Sequence, residues 1–315
     1  MRNSLLSRLL SYVLSLGLVT LAAVPAAGQH SRRDYDRDRS NVDTTFAFDR
    51  RGMVSMTLAS GDIVVTAWDR DEIHIHATSE DRGVRLDATS SRVTVQPAGG
   101  YGGGGESRFE VTVPIGVRIV ARAQSGDISI SGTAGEVDAH SQSGDVKVDG
   151  AGSRLDIVSL SGDIEAHNVN GDVQIKSVSG DIRLSDFRGD FEGETVSGSI
   201  ELHNAAGRYV RAHTTSGDLT YEGGIDPSGR YEFSAHSGDI RLGIPGNTSA
   251  QLSVSTWSGA LDSPDFPITL RPGEHSVGSG QAKRFTFDIG GGAARISAET
   301  FSGDITISSR GSSRR

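Results

Sequence analysis

The sequence predicts an all-β fold, a β-solenoid of about 18 residues per coil, on three observations. First, 41 glycines stand against 8 prolines with no collagen-type triplet period, so the chain makes many tight turns. Second, a unit of small residue, glycine, polar residue and aliphatic residue returns at nine-residue steps: its glycines are 126, 135, 144, 162, 171, 180, 189, 198 and 207. Third, no segment of ten residues carries the three-and-four apolar spacing of an amphipathic helix.

The nine-residue step conceals a longer period. Units at 126, 144, 162, 180 and 198 place serine before the glycine, whereas those at 135, 171, 189 and 207 place Ala, Asn, Arg and Ala there. Strong and weak copies alternate, so the coil is two half-turns of nine. Within a half-turn the aliphatics fall two and often four residues after the glycine, as in Ile182 and Leu184 or Ile200 and Leu202. That spacing puts both on one face of a short strand. One coil cannot bury that face alone, but a stack at about 4.8 Å spacing makes a continuous core. Seven or eight coils make a rod roughly 35 Å long at that spacing. A three-sided β-helix of 27 residues per coil is the alternative geometry, and the alternation argues against it.

The elements follow in order. Residues 1–28 read as a secretory signal peptide: Arg2 and Arg8, an apolar run Leu9 to Val24, then Ala26, Ala27 and Gly28. Residues 29–41 form a mixed-charge segment expected to be a disordered linker. Residues 42–120 are strands continuous with the solenoid, marked by TTFAFD, MVSMTLASGDIVVTAW and EIHIHAT and interrupted by the glycine-rich stretch Gln96 to Ser107. The repeat occupies 121–261, including an irregular AGSRLDI unit near Gly152. A C-terminal β cap is expected over 262–308 and a disordered tail over 309–315.

Composition narrows the function. There are no cysteines, which excludes a disulfide framework and a cysteine-anchored lipoprotein. The formal charge is −9, and loss of Arg2 and Arg8 with the signal makes it −11, with lysine only at 147, 176 and 283. Such a surface is unsuited to nucleic acid or to an anionic membrane. No segment after the signal is apolar enough to span a bilayer.

The repeated Ser-Gly-Asp corners are a structural turn ladder in this reading: Gly126, Asp127, Gly144, Asp145, Gly162, Asp163, Gly180, Asp181, Gly217, Asp218, Gly238 and Asp239. Glycine supplies a positive φ and the acid accepts hydrogen bonds from amides of its own turn. The competing chemistry is calcium, because Asp127, Asp145, Asp163 and Asp181 form one column whose like charges a cation would relieve. Glu136, Asp172 and Asp190 form a second column on the opposite edge. The GGxGxD turn of nonapeptide calcium rolls is missing its second glycine pair here. No cofactor is otherwise implied.

His74 and His76 share one strand face without an evident third ligand. His140 and His167 are 27 residues apart and fall on opposite sides, and His167 and His203 are two coils apart, so no histidine metal centre is expected. No Gly-x-Ser-x-Gly elbow occurs, and acids that recur as a ladder differ from a catalytic pair, which stands out from its repeats; no catalytic residue is assigned. Arg188-Gly189-Asp190 falls in repeat register, and Asn247-Thr248-Ser249 is a glycosylation tripeptide by pattern alone.

GDIVVTAWDRDEIHIHAT, FEVTVPIGVRIVARAQSGDISI and AETFSGDITISS together resemble a family of exported bacterial β-strand-repeat proteins, catalogued as candidate adhesins and as a domain of unknown function. The resemblance covers about residues 42–308. It implies a β-helix and carries over no catalytic residue. The expectation is an exported, non-enzymatic scaffold or adhesin-like protein of the cell envelope, in the periplasm or at the cell surface. It would meet a protein or glycan on its outer strand faces, which carry Arg183, Glu201, Arg211 and Arg241. The alternatives are a β-helix carbohydrate-active enzyme and an envelope sensor that binds a partner by edge-strand addition.

Overall fold

The computed structural model describes residues 33–34, 40–80, 83–98, 105–266 and 283–310. The expected signal peptide, most of the charged linker and the tail beyond Arg310 lie outside these residues. The compact unit Arg32–Arg315 is the one described below.

Every regular element in it is a strand. Two sheets of 14 and 13 strands are built from chain segments that alternate between them. In the repeat one coil is one strand of each sheet, for example Arg154–Ser161 followed by Ile164–Val169. Register confirms the 18-residue coil: Val137 pairs with Leu155, Leu155 with Val173 and Val173 with Phe191, all parallel. The next steps lengthen, to 19 at Val210 and 21 at Tyr231. Two sheets rather than three set aside the 27-residue alternative.

The alternation of the sequence is the alternation of burial. Ile164 and Ala166, Ile182 and Leu184, and Ile200 and Leu202 lie at 0–1% exposure, with charged or polar residues between them facing out. Each fully buried aliphatic of this kind contributes roughly 1.5–3 kcal/mol relative to exposure. The core is one continuous column between the sheets. Coils 191–205 to 230–244 widen it with Phe191, Tyr221, Tyr231 and Phe233. The Tyr221 hydroxyl donates to the Gly224 carbonyl at 2.6 Å, so the larger ring buries no unpaired group.

The irregular unit near Gly152 is no interruption. Gly152 approaches the Ala134 carbonyl as closely as Gly171 approaches that of Ser153, so the weak corner column runs through it.

Both ends of the stack depart from sequence order. Strands Met53–Ser60 and Ile63–Trp68 lie between those of 92–114 and those of 118–131. Strands Ala294–Ser302 and Ile305–Ser309 lie between those of 230–244 and those of 250–262. Hence Val54 pairs with Ile119, and Ile240 with Ile305, each 65 residues away. The 262–308 region, expected as a cap, therefore contains a full coil, while Lys283–Ile289 closes the first sheet by pairing antiparallel with Ala250–Ser258. At the other end the antiparallel strands are Val84–Ala88 on the first sheet, and Glu72–Ser79 and Asn41–Ala47 on the second. Arg33–Asp34, inside the expected linker, pairs with Ala88 and Asp87.

Candidate functional site

Two kinds of surface repeat along the rod: corners and outer sheet faces. At the strong corner the glycines Gly61, Gly126, Gly144, Gly162, Gly180, Gly198, Gly217, Gly238 and Gly303 all hold φ between 105° and 154°. A Cβ on Gly144, Gly162 or Gly180 would lie 2.2 Å from the carbonyl oxygen of the glycine one coil below. Glycine is required twice, for the dihedral and for the stacking distance.

The acids of this corner act between coils. Asp127 Oδ1 accepts the Asp145 amide, Asp145 Oδ1 that of Asp163, Asp163 Oδ1 that of Asp181 and Asp181 Oδ1 that of Ser199, each at 2.9 Å. Ser199 Oγ takes the Asp218 amide at 3.2 Å, then Asp218 and Asp239 take those of Asp239 and Asp304 at 2.9 Å. The series opens with Asp62 to Asp127 and closes with Asp304 to Ala260. The expected ladder is present, but each acid caps the turn of the next coil and not its own. The physical reason is the glycine's positive φ, which aims the following amide along the rod axis, where the only oxygen in reach belongs to the adjacent coil.

The second carboxylate oxygens meet arginine in two places. Arg183 bridges Asp163 at 3.2 Å and Asp181 at 2.7 Å, and Arg241 bridges Asp218 at 2.7 Å and Asp239 at 2.9 Å. Burial raises the Asp218 carboxyl, but the Arg241 guanidinium and the Asp239 amide outweigh it and hold the group below the usual carboxylate range. Guanidinium thus stands between paired acids where the calcium reading would set a cation. Among the described residues no group of three or more His, Cys, Asp or Glu is arranged to hold a metal ion.

The opposite edge carries a second ladder that the glycine pattern alone misses. Gly132, Gly150, Asn168, Asp186 and Asn204 occupy the left-handed region at 18-residue steps, with φ of 75°, 93°, 55°, 54° and 51°. Asn168 Nδ2 donates to Asp149 at 2.7 Å and Asn204 Nδ2 to Asp186 at 2.8 Å. Asn and Asp are the residues that tolerate this conformation after glycine, so the signal was present as a column of Gly, Asn and Asp. On the same edge Asp190 Oδ1 takes the Tyr209 amide at 3.0 Å, and Arg154 stands between Glu136 and Asp172, breaking the expected acid column. Arg154, Asp172, Asp190 and Tyr209 line an open groove of about 170 Å³.

The outer faces are laced by ion pairs. On the second sheet Lys147 meets Glu165 at 3.8 Å and Arg183 meets Glu201 at 4.0 Å, in an alternating row. On the first sheet Arg211 meets Glu192 at 3.7 Å. The four residues expected to dot a binding surface are thus engaged within the protein's own ladders.

Histidines fall where the spacing put them. His140 is on the first sheet beside Asp138 at 2.8 Å; His167 and His203 are on the second, two coils apart with Ser185 between them in register. His74 and His76 face Asp43 at 3.0 and 3.5 Å.

One surface feature escaped the sequence reading. An outward row on the first sheet passes through Leu160, Val178, Val196 and Thr215 to His236, Phe301 and Trp257. The Phe301 ring stacks between His236, at 5.0 Å between centroids, and Trp257, at 5.7 Å. Phe301 and Trp257 are 48% and 46% exposed, on a face otherwise rich in charge. Their positions, 236, 257 and 301, follow no period in the chain, because the coil bearing Phe301 sits out of sequence order.

A family model described as Toastrack DUF4097 matches residues 117–222 and again residues 191–308. Among solved structures, a candidate cell adhesion protein from Clostridium sporogenes is 8% identical, with 86% of this chain and 100% of that chain covered and a TM-score of 0.24. A candidate adhesin from Bacteroides fragilis is 9% identical over 85% of this chain and 96% of its own, with a TM-score of 0.30. No curated protein matches.

Proposed function

This chain belongs to the Toastrack DUF4097 family, and from that premise we propose that it is a non-enzymatic, adhesin-like scaffold exported to the cell envelope. The observation that carries this reading is the inter-coil ladder. The residues repeated most often, glycine and aspartate, are engaged in stacking one coil on the next, so the repeat builds a rod. A rod of this kind presents long outer faces to a protein or glycan partner. The row from Leu160 to Trp257 is the part of those faces least suited to remaining in water. Export rests on the n-region, apolar run and small residues of 1–28.

Fractionation with protease shaving of intact cells tests the localisation. Cleavage of the protein on intact cells supports the adhesin-like role; confinement to the cytoplasm overturns export. Incubating purified protein with uronic-acid and neutral glycans tests the non-enzymatic part, since turnover would overturn it.

A further inference from the structure

The last coil, Ala294–Ser309, occupies a slot that sequence order would close. Coil 250–262 is the natural successor of coil 230–244: Leu252 follows Tyr231 by 21 residues, the step that separates Tyr231 from Val210. In the structure the two are held apart. Tyr231 pairs with Ile296 and Ile296 with Leu252, so the late coil is inserted between them. The five residues 245–249 reach across it, within the span of an extended chain at about 3.3 Å per residue.

The inserted coil fits on both sides through every device of the repeat. Ala294, Ile296, Ala298, Ile305 and Ile307 are buried in the common core. Small Ala298 lies in register between Phe233 and Val254, where it leaves room for the aromatic ring. Asp239 takes the Asp304 amide at 2.9 Å and Asp304 takes the Ala260 amide at 2.8 Å. The Thr300 hydroxyl donates to Gly238 at 3.0 Å, and Phe301 fills the gap between His236 and Trp257.

Its tether is short and permissive. Gly290-Gly291-Gly292-Ala293 joins it to strand 283–289, and the two strands straddle Ala250–Ser258 from opposite sides. Gly290 and Gly292 hold φ of 61° and 68°. Among the described residues this crossing is the coil's one covalent link to the stack, whereas the inserted coil 53–68 is tied at both ends. An element with its own complete interface and a short hinge is what copies of a chain exchange.

We propose that Ala294–Ser309 is a donor coil, and that the slot between coils 230–244 and 250–262 accepts it equally from a second copy of this chain. Copies then join by exchanging C-terminal coils, either reciprocally as a dimer or head to tail as a filament, with no contact that the single chain lacks.

The test mixes two full-length preparations carrying different affinity tags, at high concentration and below the unfolding transition. Ser253 and Ser297 are register partners on the outer face, and the chain has no cysteine, so Ser253→Cys/Ser297→Cys supplies a disulfide that locks the coil in its own chain. The expected result is hetero-tagged assemblies that accumulate with time in the unmodified protein, vanish in the oxidised variant and return on reduction. Absence of hetero-tagged assemblies in the unmodified and reduced proteins overturns the proposal. Equal assembly in the oxidised variant also overturns it, since joining would then use another surface.

Discussion

Asp163 Oδ1 accepts the backbone amide of Asp181 at 2.9 Å, across the gap between two coils. The same relationship links Asp127 to Asp145, Asp145 to Asp163 and Asp239 to Asp304. It makes the corner a structural seam parallel to the strand ladders. An amide that would otherwise lose its partner at every turn is satisfied by the neighbouring coil, and such a bond contributes about 0.5–1.5 kcal/mol net.

The glycine of the corner should be less replaceable than its acid. At Gly180 a Cβ would meet the Gly162 carbonyl oxygen at 2.2 Å with φ at 128°. Gly180→Ala is expected to cost about 3 kcal/mol or more, or to prevent folding. Gly224, whose nearest neighbour to a new Cβ is the Ala205 oxygen at 3.8 Å, is the control. Gly224→Ala should lie within about 0.5 kcal/mol of the parent in urea denaturation.

The second edge makes a parallel prediction. Asn168 holds φ at 55° and its side chain donates to Asp149. Asn168→Val combines a β-branched residue in the left-handed region with a lost hydrogen bond, and is expected to cost about 2 kcal/mol. Asn168→Gly relieves the conformation and loses only the bond, so its denaturation midpoint should fall between the two.

Metal removal should leave the fold unchanged. In the aspartate column Oδ1 is taken by an amide, and in the Asp163–Asp181 and Asp218–Asp239 pairs Oδ2 is taken by Arg183 and Arg241. The thermal midpoint is expected to be the same with calcium as with chelator. A rise in calcium would place ions on Asp127 and Asp145, whose flanking positions carry no arginine bridge of this kind.

His213 gives the rod a pH dependence of known sign. Burial holds its imidazole below the ordinary value of 6.5, with Glu194 opposing and Arg211 assisting. A histidine with a depressed folded pKa binds its proton more readily when unfolded. Its contribution is therefore complete above 6.5 and lost as pH falls through that value toward the folded pKa. His213→Gln should flatten the stability profile between about pH 7 and about pH 5 relative to the parent.

What could be read from the chain follows from what is local. Ser-Gly-Asp-Ile states a corner and an inward aliphatic, and its recurrence at 126, 144, 162 and 180 states the coil length, so the two-sheet rod was legible. Which coil neighbours which was not, because 250–262 and 294–306 carry the same pattern: Trp257-Ser-Gly matches Phe301-Ser-Gly. Local pattern specifies a coil, and only packing between Phe233, Ala298 and Val254 specifies its order. The acid's true partner was obscured for a related reason. A turn residue is read against its own turn, whereas here the open amide faces along the axis.

The central claim is that each corner acid holds the amide of the next coil, and the Asp181 amide tests it directly. Its hydrogen exchange should be protected in the parent and in Asp163→Asn, which keeps an acceptor oxygen, and should quicken selectively in Asp163→Ala while the Ile182 amide, bonded to the Ser199 carbonyl, stays protected. Unchanged protection of Asp181 in Asp163→Ala would contradict the account.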